Sequence, residues 1–172
     1  MKIKEALLEE SAYNKTTIMA AAKYACTSAA RFKELIACYL SSEEKLSQRA
    51  AWCLGWAAKI NAAMVTPHIK ALVDQLERKD VHYAVIRNSM RVLEGIEIPE
   101  ALHGDVMNAC FGFIETPSTP AAIKAFALTT LFNLTKAYPE IKPELKLLIE
   151  DNMDHESAAF KSRGKKILKA LK

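Results

Sequence analysis

Apolar positions recur at steps of three and four along most of the chain, which is the period of one face of a helix. No convincing run of alternating apolar and polar residues interrupts this pattern, so the fold class predicted is all-α. Helix starts are marked locally. Thr66-Pro67 and Thr119-Pro120 read as a cap followed by a first-turn proline. Ser41-Ser42 precede Glu43 and Glu44, and Asp80 precedes the apolar-periodic run VHYAVIRNSMRVL, both as N-caps would.

A second, longer period lies above the helical one. Stepping 37–39 residues from Ala51 reaches Ser89, Ala127 and Gly164, each of them small. Neighbouring columns agree: Leu54, Val92, Thr130 and Ile167; Gly55, Leu93, Leu131 and Leu168; Ala58, Ile96, Leu134 and Leu171. An earlier helix repeats as well, through Phe32, Ile69, Val106 and Leu145. That spacing belongs to arrays of helical pairs, in which one pair cannot bury its apolar face alone and stacking completes the core. The chain is expected to be a single repeat domain over 1–172. Units fall at about 29–65, 66–98, 99–139 and 140–172, and residues 1–28 form an atypical N-terminal pair. ETPSTP at 115–120 is too short to separate domains.

The second helices QRAAWCLGWAA, VIRNSMRVLEGI and SAAFKSRGKKIL, with Asp80 and Asp154 near the turns within pairs, resemble those of HEAT-like and armadillo-like α-solenoids. FALTTLFNLTKAYPEIKPELKLLIED is similar to stretches of small bacterial HEAT-like proteins. The resemblance implies a right-handed superhelix of four to five antiparallel pairs that binds other macromolecules, commonly on the concave side lined by second helices. It also implies an arginine at the second helix and an aspartate in the turn. Arg49 and Arg87 fit that arginine position, but the later equivalents are Ala125 and Ser162.

Composition narrows the class further. The chain is 51% hydrophobic and 26% charged, a globular balance. Its start, MKIKEALLEE, lacks the apolar core of a signal peptide, and no apolar run approaches the ~18 residues of a membrane span. Cys26, Cys38, Cys53 and Cys110 form no CxxC pair and sit in apolar stretches, so free thiols and a cytoplasmic location are expected. The net charge is +4, yet KSRGKKILKALK from Lys161 onward holds six bases and no acid, leaving −2 for the remainder.

No pattern of catalysis emerges. His68, His82, His103 and His155 fall in different units, with no metal-ligand spacing among them. Phosphate-binding glycine loops and nucleophile elbows are absent. Glu43-Glu44 and Asp151 with Asp154 sit at helix ends, where acids complement the dipole. No metal or cofactor is therefore expected, and the protein is read as a non-enzyme.

The surface is more informative. With Ala51, Leu54, Gly55 and Ala58 turned inward, Arg49, Cys53, Trp56 and Ile60 face the other way at 100° per residue. The same columns continue as Arg87, Arg91 and Glu94, then Thr129, Phe132 and Lys136, then Lys166 and Lys169. The expected partner-binding residues are Trp56, Arg87, Arg91, Glu94, Phe132, Lys136, Lys166 and Lys169. They suit an acidic or phosphate-bearing protein partner, with aromatic anchors among cations. The competing expectation is local pairing, such as Arg87 with Asp80. A nucleic-acid partner in a basic groove is the alternative, with base excision through Glu94 a remote third reading. Trp52, whose column continues as Met90 and Leu128, is expected to pack, and Gly55 to admit a neighbouring helix closely.

Overall fold

The computed structural model describes the backbone of residues 1–172 and every side chain except that of Ala12. Its described residues form ten α-helices joined by short turns and no strand: α1 Ile3–Leu8, α2 Lys15–Ala25, α3 Ala29–Tyr39, α4 Glu44–Ile60, α5 Ile69–Leu76, α6 Tyr83–Leu93, α7 His103–Glu115, α8 Ala121–Leu134, α9 Lys142–Asn152 and α10 Ala158–Ala170. The second helices quoted from the sequence are α4, α6 and α10.

Some helix starts differ from expectation in which side chain does the capping. Asn14 Oδ1 accepts from Thr17 N–H at 3.0 Å, Ser28 Oγ from Arg31 N–H at 3.3 Å, and Ser157 Oγ from Phe160 N–H at 3.2 Å. These are ordinary N-caps. Asp80 does not cap α6: the helix starts at Tyr83, two residues later than a cap at Asp80 would need, and its carboxylate is held by the Arg78 guanidinium at 2.9 and 2.5 Å. His82 takes over, its Nδ1 accepting from Ala84 N–H at 3.1 Å. Ser41 serves the turn ahead of α4, accepting from Glu43 N–H, while Glu43, at the N-cap position of α4, makes no side-chain cap.

The chain divides into two compact units, Met1–Val92 and Leu93–Lys172. In the first, α4 packs against both α2 and α3, and α1 lies on α2, α3 and α4. Alanines make the α2–α4 seam: Ala21, Ala22, Ala25, Ala50 and Ala57 are all buried. Phe32, Leu35 and Tyr39 of α3 fill the volume beside them with Leu54, Leu72 and Met90. The Tyr39 hydroxyl meets Ser89 Oγ at 2.5 Å, and Ser89 Oγ donates onward to the Val85 carbonyl at 2.7 Å. That chain satisfies two polar groups where water cannot reach.

In the second unit α8 packs against α7, α9 and α10. Its sequence, AAIKAFALTTLFNL, is apolar on almost every side, as a helix surrounded by others requires. Val106, Cys110, Leu128, Leu131, Leu145, Ile149 and Phe160 form the core around it. Two charged pairs tie this unit. Lys124 bonds Glu156, with side chains only 4% and 13% exposed. Arg163 bonds Glu94, and also donates to Thr129 Oγ1 at 2.7 Å and the Ala125 carbonyl at 3.3 Å.

The division also redistributes the charge. Residues 1–92 hold fourteen bases against nine acids, and 93–172 hold ten against eleven. The near-neutral body of the sequence reading is therefore a balance between a cationic first unit and an acidic stretch at 93–160, where four bases face eleven acids.

The small column Ala51, Ser89, Ala127 and Gly164 is buried throughout, but its neighbour Gly55 departs from expectation. A Cβ added at Gly55 would stand 3.7 Å from Asn88 Oδ1, an ordinary contact, so no close approach demands glycine there. At Gly164 a Cβ would meet Ile149 Cγ2 at 2.9 Å and Met153 Cε at 3.0 Å. Opposite outcomes are expected in urea unfolding. Gly55→Ala gains about 0.5–1 kcal/mol by restricting the unfolded chain and favouring helix. Gly164→Ala loses about 1–3 kcal/mol by overpacking.

Candidate functional site

The second helices of the first unit share a charge pattern. Lys15 and Lys23 lie on α2, Arg87 and Arg91 on α6, and neither helix contains an acid. On α4 the only acid is Glu44 at its start, against Lys45, Arg49 and Lys59. Carboxylates of this unit sit elsewhere, on α1, α3, α5 and the turns.

Trp56 is where these helices meet. Lys15 Nζ and Lys59 Nζ each lie 5.0 Å from the centre of its ring, and the Arg91 guanidinium carbon lies 5.5 Å away. All three are within cation–π range. Among the described residues none of the three cations forms an ion pair. The indole is half-buried, and its Nε1 is shut off from solvent with no hydrogen-bond partner among the described residues. Ile60, one turn on from Trp56, is exposed. Farther along α6, Arg87 lies over the exposed Tyr83 ring at 5.7 Å. It does not pair with Asp80, which Arg78 already occupies.

Two members of the outward column face inward instead. Arg49 is buried, its Nη1 donating to the Leu7 and Glu9 carbonyls at 2.8 and 3.1 Å, with the guanidinium 4.4 Å from the Tyr13 ring. Cys53 is also buried, its thiol donating to the Ile18 carbonyl at 3.7 Å. The physical reason is that α4 is covered on a second side by α1 and α2, so the exposed arc is narrower than a single-sided helix allows. Trp52 lies at the edge of the packed region, half-buried, edge-on to Tyr13 at 5.4 Å.

The remaining expected residues lie in the second unit. Glu94 is not a free acid, since the Arg163 guanidinium is bonded to it. Phe132 is half-buried, and Lys166 and Lys169 are exposed on α10. Lys136 borders a cleft of about 510 Å³ lined by Ile96, Glu97, His103 and Asn133. His103 is fully engaged there. Its Nε2 donates to the Ile98 carbonyl at 2.7 Å, which leaves Nδ1 to accept from the Tyr138 hydroxyl at 3.1 Å.

Nucleophilic chemistry has little support in either unit. Burial pushes the Cys53 thiol up to about 12 and raises those of Cys26, Cys38 and Cys110 as well. All four are thiols rather than thiolates near neutrality. No group of three or more His, Cys, Asp or Glu suited to a metal ion occurs among the described residues. Nor is any described helix long and apolar enough to cross a membrane.

Sequence reasoning missed Lys15 and Lys59. Lys59 was readable, since it stands three residues after Trp56 and so on the same side of α4. Lys15 depends on α2 crossing α4, which no spacing announces. The available signal was the lack of acids in three successive second helices.

Comparison with known proteins bears on the fold. The crystal structure of an engineered protein, 17% identical, superposes with a TM-score of 0.64 over 99% of this chain and 79% of its own. No curated protein matches the sequence. The HEAT repeat domain family matches residues 3–171. With ten helices in α-solenoid succession and that match over nearly its whole length, the chain belongs to the HEAT repeat family.

Proposed function

We propose that this HEAT-repeat chain is a non-enzymatic, cytoplasmic interaction module that binds an acidic segment of a protein partner on its second helices. The observation that carries the reading is Trp56 ringed by Lys15, Lys59 and Arg91, three cations without ion-pair partners. An aromatic anchor flanked by such charges has the composition of an interface hot spot. The exposed Ile60 gives the partner apolar contact beside the charges. In this reading 1–172 acts as one repeat domain, and Arg87 extends the surface along α6.

A protein is favoured over a nucleic acid because the cations gather at one indole. A phosphate backbone calls for bases spread over several units, whereas residues 93–160 are strongly acidic.

Trp56→Ala combined with Arg91→Ala should abolish affinity capture of the partner from native cells. The expected loss is at least ~30-fold, corresponding to ~2 kcal/mol at a hot spot. Phe132→Ala should leave capture intact. If the double variant retains its partners, the site assignment is wrong. Binding to DNA or RNA at ~50 mM salt that falls steeply as salt rises would replace the protein reading with the nucleic-acid one.

A further inference from the structure

We infer that the Trp56 cluster is a pocket for a single phosphomonoester, carried on a phosphorylated side chain of the partner; this presupposes the partner-binding reading above. The stoichiometry of charge is the first reason. Lys15, Lys59 and Arg91 bring three positive charges within 5.5 Å of one ring centre. A carboxylate offers one negative charge, which the planar fork of one arginine already balances with two parallel bonds. A phosphomonoester carries about −1.5 to −2 charges and three acceptor oxygens. Arg91 can take two of those oxygens and the lysine ammoniums the third and the remaining lone pairs.

Reach is the second reason. Sharing one ring centre, no two of the cationic groups are more than about 10.5 Å apart. With charge-assisted bonds of about 2.8 Å, donors on opposite sides of a tetrahedral oxyanion stand roughly 7–8 Å apart. Flexible lysine stems close that difference without moving a helix. The third reason is the indole itself. Its Nε1 is a buried donor with no partner among the described residues, and its ring is the apolar surface the three cations share. Within α2, α6 and α4 beyond Glu44 no carboxylate competes for the cations. Their mutual repulsion falls when a dianion sits among them.

The chain has two tryptophans, so Trp52→Phe leaves Trp56 as the sole indole reporter. Phenyl phosphate, titrated at constant ionic strength, should change its fluorescence saturably. Arg91→Ala should weaken that response at least tenfold and Lys15→Ala several-fold, with unfolding midpoints unchanged. An equal response to acetate or chloride at matched ionic strength would reduce the cluster to a screened patch and overturn the proposal. A phosphoserine peptide should bind more tightly than its serine and glutamate counterparts. If inorganic phosphate or a free nucleotide binds as tightly as the phosphopeptide, the ligand is a small molecule and the assignment to a partner side chain fails. The two levels separate cleanly. Loss of partner capture in the Trp56/Arg91 double variant without any phosphate response leaves the interaction reading standing, with carboxylates as its ligand, and sinks the phosphate pocket.

Discussion

Replacing Lys124 with methionine will destabilise the second unit by about 3–5 kcal/mol, the usual cost of leaving one member of a buried pair uncompensated. Lys124 lies within α8, where all but 4% of its side chain is covered, and its ammonium bonds the Glu156 carboxylate just before α10. Methionine preserves much of the stem and its packing, so the loss isolates the charge. Glu156 would then face a low-dielectric wall without a donor, and the chain must either expose it or unfold around it. Lys124→Met with Glu156→Leu should recover most of the stability, because replacing both members of a buried pair with apolar groups is commonly neutral or better. Urea unfolding of the two variants gives the answer. If the single substitution costs under ~1 kcal/mol, the pair behaves as a surface salt bridge does, and its burial has no energetic consequence.

Arg49→Met will loosen the N-terminal helix. Arg49 Nη1 holds the Leu7 and Glu9 carbonyls at the end of α1, where backbone acceptors have no partner within the helix. Bonds from a charged donor contribute roughly 1.5–3 kcal/mol each at the upper end of the hydrogen-bond range, so a loss of about 3–6 kcal/mol is expected for the two together. Methionine keeps apolar bulk against Tyr13 but donates nothing. Amide hydrogen exchange should show Ile3–Leu8 losing protection first, while α7 to α10 stay unchanged. Equal loss across α1 to α6 would mean that Arg49 supports the whole first unit rather than this helix end.

These two residues also show what the sequence discloses and what it withholds. Helical periodicity and the column Ala51, Ser89, Ala127 and Gly164 were legible, because burial on one side of a helix writes itself at fixed spacing. Arg49 was misread for the same reason. A periodic rule assigns one buried face per helix, but α4 is covered by α3 on one side and α1 and α2 on the other. Its polar exception was invisible, since the groups that accept from it are carbonyls forty residues away. The Lys124–Glu156 pair left no mark in the sequence either, since its members stand 32 residues apart. Trp56 and Arg91 were placed on one face across helices, and the structure sets the Arg91 guanidinium 5.5 Å from the Trp56 ring centre; Lys15 was not, because only the packing of α2 on α4 brings it there. Glu94 failed as a free acid because Arg163, 69 residues later, neutralises it. Long-range electrostatics leaves no periodic trace.

The apolar girth of α8 has a bearing on how the protein is made. Its partners on one side belong to α10, which leaves the ribosome some thirty-six residues after α8 ends. At ~5–20 residues per second, α8 waits roughly two to seven seconds with Ala125, Leu128 and their neighbours uncovered. Hydrophobic surface presented for that interval is what nascent-chain chaperones bind. The second unit is thus the part of the molecule whose yield should respond most to slowed translation or to chaperone supply.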